Sequence, residues 1–149
     1  MSHIICSMAL IALIFVMPSF YLIVVDNVEN EVILRELQEI ADYTSNTIEN
    51  LYFLVNTTSG YGVSVEKELI YLPASVEDSI YILNLTESNG EVINVQAYLK
   101  TNPSLIANSW ILPGLTLADG NVFFESGERI AIIGCRRNET GNYVWIRYD

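Results

Sequence analysis

Basic side chains are scarce in this 149-residue chain, which carries 7 Lys and Arg against 18 Asp and Glu and a formal net charge of −11 at pH 7. Such a surface repels phosphate backbones and anionic lipid head groups, which excludes nucleic acid as a partner and a basic membrane-docking patch as a device. Histidine is limited to His3, remote in sequence from any carboxylate pair or nucleophile that acid–base catalysis needs. Cysteine is limited to Cys6 and Cys135, near opposite ends, with neither C-x-x-C nor Cys/His spacing. Two free thiols are expected, and no disulfide framework or zinc site. The nucleophile-elbow, H-E-x-x-H, P-loop and dinucleotide patterns are all missing. Asp26, Glu29, Glu36, Glu39 and Asp42 offer oxygen ligands, but no compact acidic loop gathers them, and they read as a solvated helix face. The expectation is a chain with no enzyme activity, no cofactor and no metal.

Charge is also absent from Ile4 to Val25, IICSMALIALIFVMPSFYLIVV, where only Ser7, Ser19 and Tyr21 are mildly polar. At about 1.5 Å per residue, this segment is long enough to cross a hydrocarbon core of roughly 30 Å. It exceeds the apolar region of a secretory signal, lacks a basic region before it, and has no A-x-A-like cleavage site before Asp26.

Gly and Pro are missing from Asp26 through Val55. Val28, Val32, Ile33, Leu37, Ile40, Thr44, Ile48, Leu51 and Val55 recur there at three- and four-residue steps, with Glu29, Glu31, Arg35, Glu36, Gln38, Glu39, Asp42 and Glu49 between them. A single helix from about Ile4 to Val55 is expected, roughly 75 Å long. Pro18 removes one hydrogen bond and crowds the Ile14 carbonyl, so a kink or short melted stretch is expected over Ile14 to Pro18, with Ser19 or a neighbouring helix as partner for the freed carbonyl.

After Gly60 and Gly62 the period changes to alternation. Strands are expected over Val63–Leu72, Ser79–Thr86, Glu91–Leu99, Leu105–Leu112, Asn121–Glu125, Arg129–Arg136 and Tyr143–Tyr148, with turns at Asn89-Gly90, Asp119-Gly120 and Asn138–Asn142. The fold class is therefore α+β: a long N-terminal helix, apolar in its first half and amphipathic in its second, packed on a small antiparallel sandwich-like head. The division is residues 1–55 for the transmembrane or filament-core helix and stalk, and 56–149 for the head. In this lollipop the first half of the helix protrudes and the second half joins the head.

Sequons at Asn56, Asn84 and Asn138 point to an extracytoplasmic, glycosylated head. Tyr61, Tyr71, Tyr81, Tyr98, Trp110, Tyr143, Trp145 and Tyr148 suit a sugar-stacking or adhesive surface, but the expectation is that they pack the sheet.

An apolar N-terminal helix that continues as an amphipathic stalk, LRELQEIADYTSNTIENLYFLVNTT, into strands containing ELIYLP and IYILNLT resembles the archaeal type IV pilins and pilin-like proteins of the class III signal family. The resemblance covers the whole layout and is specific over Ile4 to Thr58. It implies an extracellular filament subunit, held in the cytoplasmic membrane before assembly and then polymerised with copies of itself through Leu10, Leu13, Phe15, Pro18 and Phe20, for adhesion, motility or surface contact. Such proteins begin with a short basic leader, which Met1-Ser2-His3 does not resemble, and bacterial members carry a glutamate at the fifth mature position. No acid precedes Asp26, which fits the archaeal branch. The alternative is a single-pass, membrane-anchored ectodomain that binds a partner as a minor pilin or accessory component of a surface machine.

Overall fold

With no glycine and one proline to interrupt it, the N-terminal sequence forms a single helix, α1, over Ser2–Thr57. The structure, a computed structural model, describes residues 2–118, 122–127 and 129–148, except the side chains of 2–7 and 9. The chain forms two units, Met1–Val32 and Ile33–Asp149, so the helix from Ile33 onward belongs to the unit that contains the strands.

In the first unit the backbone stays helical through Ile14–Pro18, and the expected melted stretch is absent. Ser19 Oγ donates to the Phe15 carbonyl at 3.0 Å, not to that of Ile14. This i−4 back-bond is the usual outlet for a helical serine, and it leaves the Ile14 carbonyl without the donor that Pro18 lacks.

In the second unit α1 is followed by β1 (Val63–Glu68), β2 (Tyr81–Ser88), β3 (Glu91–Leu99), β4 (Ile106–Trp110), β5 (Leu115–Leu117), β6 (Phe123–Glu125), β7 (Ala131–Asn138) and β8 (Gly141–Tyr148). They form two four-stranded sheets, β1-β7-β8-β5 and β4-β3-β2-β6. The α+β class with a long helix and a β head is as expected. Seven of these strands overlap the expected ones; β5 is additional, and it pairs with β8 in parallel, which breaks the purely antiparallel pattern. The turn expected at Asp119-Gly120 and the strand start at Asn121 lie outside the described residues. The tight β2–β3 turn is at Asn89-Gly90, where φ values of 55° and 85° match a two-residue hairpin that calls for left-handed residues.

Alternation puts Tyr81, Leu83 and Leu85 of β2 inward, with Val95, Ala97 and Leu99 of β3 and Ile133, Cys135, Val144 and Ile146 of β7 and β8. These join Leu37, Ile40, Ala41, Ile48, Leu51 and Val55 of α1 in one core. The predicted stripe is thus buried from Leu37 on, while Val28 and Val32 upstream are exposed. The buried face is also wider than the stripe, since it includes Ser45 and Thr47. Ser45 and Ser109 of β4 share a hydrogen bond at 2.7 Å, and Gln38 Nε2 donates to the Asn108 carbonyl at 3.0 Å. The last turn of α1 has no basic residue of its own. Arg137 of β7 supplies one, with Nη1 donating to the Asn56 carbonyl at 3.2 Å, where a cation complements the helix dipole.

Two positions test this packing. A Cβ at Gly134 would lie 2.1 Å from the Trp145 ring, because the indole of the cross-strand neighbour lies across the glycine. Gly134→Ala should lower stability by about 1–3 kcal/mol, the range for overpacking, in a denaturation series followed by tryptophan fluorescence. Thr44 Oγ1 is buried without a hydrogen-bond partner among the described residues. Removing the hydroxyl with Thr44→Val should stabilise the chain by about 1 kcal/mol in the same assay.

Candidate functional site

The Met1–Val32 unit offers apolar side chains on all sides of one helix. Phe15 is 73% exposed, Phe20 66%, Leu10 61% and Leu13 54%, and Pro18 is exposed among them. Large apolar patches on a soluble chain mark interaction or membrane surfaces, and a helix apolar all round belongs in a core or a bilayer. Among the described residues α1 is the one helix long and apolar enough to cross a membrane, and none of its apolar window is buried within the chain. The segment is therefore a candidate membrane anchor.

In the second unit the polar chemistry is dispersed. Among the described residues no three His, Cys, Asp or Glu side chains gather as a cation would need. Of the helix carboxylates, Asp42 accepts from Gln38 Nε2 at 2.9 Å, and Glu39 lies 3.6 Å from Arg35 in an exposed i,i+4 pair. The side chains of His3 and Cys6 lie outside the described set.

The sequons fall in three different settings. Asn56 is in the last turn of α1, and Asn138 closes β7 at the two-residue turn to β8. Asn84, two residues before the end of the expected strand Ser79–Thr86, sits inside β2, paired with Gln96 on one side and Phe123 on the other. The strand runs past it to Ser88, because the hairpin turn comes later, at Asn89-Gly90.

The aromatics meet the expectation that they pack the sheet only in part. Of the eight, Tyr81 alone is fully buried, with its hydroxyl on the Pro73 carbonyl at 2.8 Å. Tyr61, Tyr71, Trp110 and Tyr148 are exposed, and Tyr98, Tyr143 and Trp145 are half-buried. Aliphatic residues already fill the core-facing side of the strands that carry Tyr98, Tyr143 and Trp145, and Ala107 and Ser109 fill that of β4, so these rings and Trp110 occupy outer faces. On the outer face of β1-β7-β8-β5, Trp145, Tyr143, Arg136 and Arg147 line a groove of about 560 Å³. Periodicity marked these positions only as strand; the lone Gly134 within a strand was the sequence signal of a large ring lying over the sheet.

No protein-family model, curated protein or solved structure matches the chain.

Cys135 is free and buried, and burial pushes its thiol up to about 11. Desolvation likewise holds the Tyr81 phenol well above its ordinary range. Both groups are neutral when folded, and their folded values exceed their unfolded ones. Their contribution is thus complete below the unfolded thiol value and is lost as pH rises through the folded values. In a Cys6→Ser background, a thiol reagent at about pH 8 should label Cys135 slowly until denaturant is added. The denaturation midpoint should hold steady from roughly pH 6 to 8 and fall from about pH 9 upward, with a smaller fall in Cys135→Ala.

Proposed function

We propose that this chain is the structural subunit of a type IV pilus-like surface filament of the archaeal kind. It waits in the cytoplasmic membrane through its apolar helix, then polymerises with copies of itself outside the cell for adhesion, motility or surface contact. The observation that carries the reading is the apolar stretch from Leu10 to Val24, exposed on all sides, in a helix whose turns from Leu37 on are buried in a β-rich head. Among the described residues, nothing covers that apolar window. Stored subunits keep it in lipid, and assembly exchanges lipid contacts for helix contacts, so large side chains worth about 1.5–3 kcal/mol of burial each never face water. Head-to-tail helix packing that does not close gives a filament. The extracytoplasmic head is consistent with the sequons at Asn56 and Asn138, which lie at element ends.

The same exposed segment also suits a single-pass anchor for an ectodomain that binds a partner, and shape dependence separates the two. Lipid accepts any apolar surface, whereas a protein core is close-packed. Joint replacement of Leu10, Leu13 and Phe15 by other apolar residues of similar total volume should abolish or shorten filaments in electron micrographs of the purified assembly, with membrane insertion unchanged. A chain that stays monomeric with and without detergent, and that tolerates the replacement, would overturn the filament reading in favour of the anchor.

A further inference from the structure

The groove on the outer face of β1-β7-β8-β5 has the chemistry of a binding site, and none of its lining residues is among those that carry the assembly just proposed. Register aligns Ser64, Arg136, Tyr143 and Thr116 in one row across all four strands. Alternation turns this row outward, since Cys135 and Val144, beside it on β7 and β8, are buried in the core. Next to the row, the Trp145 indole lies across Gly134, where the missing side chain leaves room for it, and so presents a flat aromatic platform. The groove of about 560 Å³ falls within the roughly 300–1,000 Å³ usual for ligand sites.

Charge narrows the ligand. Arg147 at the groove is already tied to Glu66, with Nη2 to Oε2 at 2.8 Å. Arg136 is exposed and makes no ion pair among the described residues, in a chain with more than twice as many acids as bases. A guanidinium fork left open beside a flat ring, two aliphatic hydroxyls and a phenol matches a pyranose that carries a carboxylate. The ring's C–H face stacks on the indole, its hydroxyls meet Ser64, Thr116 and Tyr143, and its carboxylate takes the Arg136 fork in a bidentate pair. We propose that this groove binds acidic saccharides of the uronate class.

The test uses the full-length, detergent-solubilised chain with Trp110→Phe and Asn138→Gln, so that Trp145 is the only indole and no glycan at the β7–β8 turn can fill the groove. A galacturonate tetramer should shift the Trp145 emission saturably, and neutral maltotetraose should bind about tenfold more weakly or worse. Arg136→Met should weaken galacturonate binding about tenfold or more, the loss expected for a charge-assisted hydrogen bond, with an unchanged denaturation midpoint; Arg136→Lys should recover part of it. Equal binding of maltotetraose, equal binding of tetraglutamate, an unaffected Arg136→Met variant, or no spectral response would each overturn the assignment. Filament formation by Arg136→Met is expected to be normal, so loss of sugar binding and failure of assembly remain separate results.

Discussion

Burial of one face of α1 from Leu37 to Val55 is the interaction on which the head depends. Two four-stranded sheets each present an apolar inner face, and the helix brings Leu37, Ile40, Ile48, Leu51 and Val55 into the core that those faces share. At about 1.5–3 kcal/mol per buried aliphatic side chain, this surface dominates the intrinsic preference of the segment for helix. Hydrophobic contact is non-directional, however, and would tolerate sliding. Ala41 and Ser45 keep the buried face of the helix low, and the Ser45–Ser109 and Gln38–Asn108 hydrogen bonds tie it to the β4 edge at one register. The Arg137 contact to the Asn56 carbonyl does the same at the helix end.

What was legible in the sequence follows from whether the controlling forces are local. The 3.6-residue stripe, the switch to alternation after Gly60 and the Asn89-Gly90 hairpin are all local signals, and each corresponds to an element of the fold. β5 is three residues long, follows Pro113-Gly114 and is held by parallel pairing to a strand some 27 residues away in register, Leu115 to Asn142. Nothing within Leu115–Leu117 announces that partner. Glu77 and Asp78 form a tight turn at φ values of 45° and 57°, closed by the Val76–Ser79 bridge; Asp is among the residues that adopt left-handed backbone, but Glu is not. There the surrounding structure overrides propensity.

The candidate surfaces divide in the same way. The apolar span was legible because a bilayer-length run without charge has few readings, and its exposure adds only that nothing among the described residues covers it. The groove was not legible, because its row of Ser64, Arg136, Tyr143 and Thr116 exists only once β1, β7, β8 and β5 lie side by side in one register. Three of those residues are ordinary strand or turn positions in the sequence. The aromatic expectation held only in part, for a related reason: periodicity says which residues alternate but not which face will already be filled. Aliphatic residues took the inner faces of β3 and β8, which left Tyr98, Tyr143 and Trp145 on the other side.

Pro18 bears on what the exposed half of the helix is built to meet. In α1 the proline leaves the Ile14 carbonyl without its usual donor, and Ser19, the nearest hydroxyl, is engaged with Phe15. In hydrocarbon, an unsatisfied carbonyl costs several kcal/mol, and lipid tails carry no donor. A neighbouring helix does: Ser7 and Tyr21 are the other hydroxyl-bearing positions of the apolar run. Within the proposed filament, a second copy can therefore offer both shape and a donor to the backbone at Ile14, while a bilayer offers neither.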